Sequence, residues 1–382
     1  MSTKSTSTLR IDLDAYHHNL KLIREQIGPD SDIIPVLKSN AYGHGMLALA
    51  KSAMELNLPI LSVASISESI ELREAFPKTP ILALLQPSDN ELIPAIRNNI
   101  TLTISDAATA ERVGSLAQKL NTVVSVHCEI DTGMGRQGIL LESATELLQQ
   151  ISRIPNVDIE GIYTHFPSAD EPEDSFTVNQ IRHFRQLLKE VSKDGIPYEI
   201  AHAANSAAIL NYPNSILDLV RPGIITYGIY PTNSVPKDTP FRPVASWTSR
   251  VVLVRNLPGG VGISYGRSYK TERPERIAVI PVGYGDGYPR FLSNKGEVLI
   301  HGTRCPIRGR ITMNEIMVDV NHLPSVAPGD SVTLIGQNGR EHIRAEDIAD
   351  HCNTIGYEIM TGIASHVERL HVSHTQTTGA LK

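Results

Sequence analysis

The hydrophobic positions of the chain fall into two textures. From about residue 8 to 230, short apolar runs alternate with longer segments whose apolar residues recur at helical spacing. The runs include "LRIDL", "IIPVL", "ILSVAS", "ILALL", "LTIS", "VVSVHCEI", "IEGIYTHF", "YEIAHA" and "LVRPGIITYGIY". Between them lie 46–56, 67–76, 89–99, 106–120, 142–153 and 174–193. Regular alternation of this kind implies parallel βα units. About eight such units across roughly 230 residues predict a (β/α)8 barrel of the TIM type rather than an open sheet. No GxGxxG follows the first strand, which weighs against a dinucleotide fold.

After about residue 240 the pattern changes. "ASWTSRVVLVRNL", "RIAVIPVGY", "GEVLIHGTRCPIRGRI", "EIMVDV" and "DSVTLIG" are strand-like runs punctuated by Gly, Pro and Asn. The expected organisation is a barrel domain over 1–240 and a mostly antiparallel, strand-rich domain over 241–382. The Ser/Thr-rich N-terminal tip and the tail "HTQTTGALK" are expected to fray.

Bulk properties narrow the function classes. A length of 382 residues with 41% hydrophobic side chains suits two cores. A net charge of −6 without a basic block argues against a nucleic-acid partner. No apolar run approaches the roughly 20 residues of a membrane span, and "MSTKSTSTLRIDLD" lacks a signal-like apolar core, so a cytoplasmic protein is expected. Three cysteines without CxxC spacing support neither a disulfide framework nor a metal site.

Candidate chemistry gathers at the strand ends, where barrels carry function. Lys38 ends the run "IIPVLK", and "SNAYGHG" follows it. Glu129 and Asp131 end "VVSVHCEID", His165 ends "IEGIYTH", Asn205 and Ser206 follow "YEIAHAA", and Arg221 precedes Pro222-Gly223. Strand parity sets Ile34, Val36 and Lys38 on one face, and likewise His127, Glu129 and Asp131. Each has a plain reading by itself: a solvated rim lysine, a structural histidine, a loop-tying arginine, a helix N-cap serine. Clustered at one rim, they form a pocket for an anionic cofactor. Ser206 and Gly223 suit a phosphate, and a buried lysine suits a Schiff base with an aldehyde cofactor.

In these motifs the chain resembles the alanine racemase family, fold-type III pyridoxal-phosphate enzymes, from "IDLDAYHHNL" to "TGIASHVERLHV". The shared motifs include "VLKSNAYGHG", "IDTGMGRQG", "HAANSAA", "VRPGIITYGIY", "GISYGRSY", "VGYGDGYPR" and "CNTIGYEI". The resemblance implies that Lys38 carries pyridoxal 5'-phosphate covalently and that Tyr42, Asn205, Ser206, Gly223 and Tyr357 surround its phosphate. It places His165 against the pyridine ring and Arg221 at the ring nitrogen. It implies a second base, Tyr265, supplied across a homodimer, with Arg136 and the Met313 backbone holding the substrate carboxylate and Tyr284 lining the entry channel. The implied reaction interconverts L- and D-alanine by a Lys38/Tyr265 two-base mechanism, supplying D-alanine for peptidoglycan. A free tyrosine, with an ordinary pKa of about 10, is a poor base at neutral pH; the family's chain, here Tyr265, His165 and Arg221, would give it a cationic neighbourhood.

The sequence departs from the family pattern in two places. Glu129 stands where a carbamate-bearing lysine is usual, and we expect it to pair with Arg136, directly or through a bridging water or anion. Were both groups fully buried, breaking such a pair would cost on the order of 3–5 kcal/mol. Thr312, Asn314 and Glu315 stand where Cys, Asp and Gln are usual, which alters the channel beside Met313. Alternative readings are a broader-specificity amino-acid racemase, a non-catalytic pyridoxal-phosphate-binding protein and a decarboxylase of the same fold type. Arg136 weighs against the first, and the second domain with Tyr265 against the second. No catalytic-cysteine motif supports the third.

Overall fold

The computed structural model of the chain describes residues 6–373, so most of the N-terminal tip and the whole tail "HTQTTGALK" lie outside the described residues. The barrel strands are Asp32–Ile33, Leu61–Val63, Ile81–Ala83, Thr101–Ile104, Val124–Asp131, Val157–Tyr163, Ile200–Asn205 and Leu219–Arg221. The last pairs with the first in parallel, Leu219 opposite Asp32 and Val220 opposite Ile33. A bridge between Val36 and Ser62, with Leu37 N–H donating to Ser62 O at 2.8 Å, closes the ring between the first and second strands.

Most residues of these strands are buried whichever face they occupy, and Thr101–Ile104 is buried along its whole length; Asp158 in Val157–Tyr163 is an exposed exception. The lower interior is apolar: Ile34, Ile60, Leu82 and Leu219 pack together with Leu84 and Ile200. The outer helices form because their apolar stripes need that cover. In Ser175–Lys193 the Asp174 side chain caps the N–H groups of Phe176 and Thr177, while Ile181, Phe184, Leu187, Leu188 and Val191 turn inward at spacings of three and four. Burying a side chain such as Phe184 contributes about 1.5–3 kcal/mol.

The first apolar run is a correction to the sequence reading. Thr8–Asp12 does not enter the barrel; it pairs antiparallel with Ala245–Arg250 and parallel with Glu368–Val372. Its side chains alternate, with Leu9 and Ile11 buried and Thr8, Arg10 and Asp12 half-buried. That alternation marks a strand with one wet face, unlike the barrel strands. The second domain is mostly antiparallel, as expected, and Glu275–Ile280 sits between Leu253–Leu257 and Ile316–Asp319. It also contains helices Ala345–Cys352 and Gly356–Thr361, which the strand-rich reading did not include. Among the described residues no helix is long and apolar enough to cross a membrane.

Candidate active site

Lys38 lies two residues beyond the bridge at Val36 rather than on a strand's last rung. There the backbone turns left-handed for four consecutive residues: Ser39 (φ 53°), Asn40 (φ 54°), Ala41 (φ 53°) and Tyr42 (φ 53°). This conformation costs roughly 1–2 kcal/mol per residue for L-amino acids, so it persists only under bracing. Ala41 N–H donates to Leu37 O at 2.7 Å, Gly43 N–H to Ser39 O at 3.0 Å, and Met46 N–H to Asn40 Oδ1 at 2.8 Å. Arg369 Nε, from the last strand, donates to Gly43 O at 3.2 Å. Gly43 continues at φ 83°, and a Cβ there would lie 2.5 Å from Met360 O. His44 is fully buried, stacked on Tyr227 with ring centroids 4.5 Å apart and with Nδ1 2.9 Å from Ala41 O. Desolvation lowers its pKa to about 4. The ring is therefore neutral, and its Nδ1–H donates to the turn's carbonyls.

Above the apolar layer the barrel interior is polar. Arg221, 4% exposed, donates to His202 Nδ1 at 2.6 Å, Thr164 O at 2.7 Å and His165 Nδ1 at 3.2 Å. An arginine only donates, so both histidines accept through Nδ1 and carry their proton on Nε2. His202 Nε2–H then donates to His127 Nδ1 at 2.7 Å, and His127 Nε2–H to Glu160 at 3.2 Å. Burial first, then the Arg221 charge, holds His165 and His202 well below the usual histidine range. The guanidinium lies 4.8 Å over the Tyr163 ring, and no carboxylate forms an ion pair with it among the described residues.

Glu129 is 1% exposed. Its Oε2 accepts from Tyr163 Oη at 2.9 Å and from Gln137 Nε2, which also donates to Leu84 O at 2.8 Å. Its Oε1 faces Arg136 Nη2 at 3.9 Å, within ion-pair range and too long for a hydrogen bond. The Arg136 side chain is 46% exposed, so only one member of the pair is buried and the cost for a fully buried pair does not apply. Desolvation raises the Glu129 pKa, opposed by Gln137, Tyr163, Arg221 and Arg136. Arg136 follows a turn held by Asp131, whose carboxylate accepts from Gly133 N at 2.8 Å and Gly135 N at 3.1 Å.

Lys38, Tyr42, Arg136, His165, Asn205, Ser206, Arg221, Gly223 and Tyr357 all line one cavity of about 340 Å³. Ser206 is not the N-cap expected from its position. Asn205 caps Ser206–Asn211 by accepting from Ala208 N at 3.0 Å, which frees Ser206 Oγ to accept from Gly223 N at 2.9 Å. A Cβ on Gly223 would stand 2.5 Å from Tyr42 Oη, so only glycine lets that hydroxyl approach the backbone. The lining carries three cations, Lys38, Arg136 and Arg221, against one carboxylate, Asp170. Such a donor-rich wall fits an anionic cofactor. Burial first, then the Arg136 charge, lowers the Lys38 pKa, while Glu68 raises it and Arg221 lowers it further.

Tyr265, Tyr284 and Met313 are not among the residues that line this cavity; they lie in the second domain, 71%, 43% and 55% exposed. There Ser264 Oγ donates to Arg310 O at 2.6 Å, and Gly285 N to Met313 O at 2.8 Å. Thr312 and Glu315 close the turn around Met313 and Asn314, with Thr312 N donating to Glu315 O and Glu315 N to Thr312 Oγ1, both at 3.0 Å. Sequence reasoning missed Gln137, Tyr163 and His202. Parity was a usable signal for two of them, since Tyr163 alternates with His165 and His202 with the inward Ile200. Gln137 follows a turn and carried no periodic signal.

Comparison with known proteins accords with this geometry. Residues 11–231 match the family model described as "Alanine racemase, N-terminal domain", and residues 244–371 the one described as "Alanine racemase, C-terminal domain". An alanine racemase of Halothermothrix orenii is 42% identical over 361 residues, covering 94% of this chain and 95% of its own. The solved alanine racemase of Clostridium difficile 630 superposes with a TM-score of 0.93 at 34% identity, covering 98% of this chain and 97% of that one. The Bartonella henselae alanine racemase, solved with covalently bound pyridoxal phosphate, superposes with a TM-score of 0.87 at 28% identity, covering 97% of this chain and 100% of that one. With both domains matched and relatives this similar over nearly its full length, the chain belongs to the alanine racemase family and is an enzyme of the isomerase class.

Proposed function

We propose that the chain is a pyridoxal-phosphate-dependent enzyme that interconverts L- and D-alanine. The observation that carries this reading is that Lys38, with a depressed pKa, opens onto the same cavity as Ser206, Gly223 and Tyr42. In this reading Lys38 holds the cofactor covalently, Tyr42, Asn205, Ser206, Gly223 and Tyr357 surround its phosphate, and His165 and Arg221 face its ring. Bound there, pyridoxal phosphate supplies an electron sink that makes the Cα proton of an amino acid removable.

The protein's own groups then choose the outcome. Lys38, its amine favoured by burial and cationic neighbours, takes or returns the Cα proton on one face. Tyr265 of the partner subunit does the same on the other face, so the reading includes a homodimer; it is supported by Tyr265, Tyr284 and Met313 lying exposed and apart from the lining of the Lys38 cavity. Arg221 keeps its proton rather than passing it to the ring, and that favours return of the proton to Cα over transamination. Arg136, backed by Glu129, and the Met313 backbone hold the substrate carboxylate, and Tyr284 narrows the entry. The product D-alanine would serve peptidoglycan assembly in the cytoplasm. A chiral assay of the reconstituted protein against L-alanine, L-serine and L-arginine tests the proposal. Preferred turnover of alanine is expected; preferred turnover of arginine would favour the broader-specificity reading, and no turnover the non-catalytic one.

A further inference from the structure

Glu68 lies outside every role assigned above, yet its carboxylate joins two neighbouring barrel units. It belongs to the first turn of Ile66–Ala75, where Ser65 is the N-cap and accepts from Glu68 N at 3.3 Å. Its Oε2 accepts from Ala64 N at 3.1 Å and Ser65 N at 3.2 Å, an ordinary capping-box task. Its Oε1 leaves the helix altogether and accepts from Ser39 N at 2.6 Å. Ser39 is the residue after Lys38 and the first of the four left-handed residues.

We propose that Glu68 is a positioning residue for Lys38, fixing the Lys38–Ser39 peptide and so the direction in which the lysine leaves the barrel rim. The inference rests on the proposed role of Lys38. A short bond to a carboxylate is among the stronger hydrogen bonds available to an amide, and it acts where the strained turn begins. The other braces named above end on neighbouring groups, at Leu37 O, Ser39 O, the Asn40 side chain and Gly43 O, whereas the Glu68 carboxylate takes the Ser39 N–H itself. A carboxylate beside the lysine backbone also offsets part of the effect of Arg136 and Arg221 on the amine.

The test compares Glu68→Ala with Ser65→Ala. Both weaken the same helix cap, but only the first frees the Ser39 N–H. Glu68→Met, unbranched and without an acceptor, provides the same comparison if the alanine variant does not fold. Hydrogen exchange of the segment 38–43, measured without cofactor, should quicken roughly tenfold or more in the Glu68 variants, the worth of one charge-assisted bond, and stay near wild type in Ser65→Ala. With pyridoxal phosphate added, the pH titration of the lysine-bound cofactor's absorbance should shift in the Glu68 variants alone. Identical exchange and titration in the two sets would overturn the inference. A wild type that takes up no pyridoxal phosphate on Lys38 would overturn the cofactor reading instead, and the exchange comparison would still judge the tether.

Discussion

Glu129 turns one carboxylate oxygen toward Arg136 at 3.9 Å while Gln137 and Tyr163 hold the other. Two donors on Oε2 leave Oε1 as the oxygen able to orient the guanidinium. Glu129→Gln is therefore expected to raise KM for alanine about threefold to fivefold, the loss of one partly exposed ion pair, with a smaller change in kcat. Gln137→Leu should move KM in the same direction by less, because Tyr163 still holds the carboxylate. Wild-type activity should be indifferent to added bicarbonate at mildly acidic pH. Unchanged KM in Glu129→Gln contradicts the assignment.

Lys38 is expected to be the anchor for the cofactor. Borohydride treatment of the reconstituted protein followed by peptide mapping should place the pyridoxyl group in the peptide spanning Lys38. A label on another lysine contradicts it.

Much of this site is legible in the sequence because barrel physics places function at strand ends. Lys38, His165, Asn205, Ser206 and Arg221 could be read from where apolar runs stop, and all five line one cavity. Less legible were features made by turns and by distant chain. Gln137 reaches Glu129 only because the Gly133–Gly135 turn folds the chain back, and the left-handed run after Lys38 contains only one residue, Asn40, of a type that favours such angles. Thr8–Asp12 was misplaced by its position at the head of a βα series; its alternating burial, readable as Leu9 and Ile11 between polar residues, was the better guide.

His44 should leave a signature in acid stability. Its pKa falls from the ordinary 6.5 to about 4 on folding, chiefly through burial. The unfolded chain thus binds the proton more readily, so this contribution is complete above about pH 6.5 and is lost as pH falls toward 4. The loss should be on the order of 3 kcal/mol. Urea unfolding across that window should show wild type losing more stability than His44→Phe, which is less stable at neutral pH yet flatter. Parallel pH profiles contradict the account.

A site shared across the proposed homodimer predicts complementation. Lys38→Ala and Tyr265→Ala chains, each inactive alone, should regain some activity when mixed under conditions of subunit exchange, since one site of a mixed dimer then carries both groups intact. Full activity in a wild type that sediments as a monomer contradicts it.

The central claim is that the protein removes and returns the Cα proton of alanine with Lys38 as one of two bases. The most direct measurement is incubation of L-alanine with the reconstituted enzyme in deuterium oxide, with both enantiomers resolved by chiral chromatography and weighed by mass spectrometry. The account predicts D-alanine carrying one deuterium at Cα from wild type, and none from Lys38→Ala. D-alanine retaining its original hydrogen throughout, or undiminished D-alanine from Lys38→Ala, would contradict it.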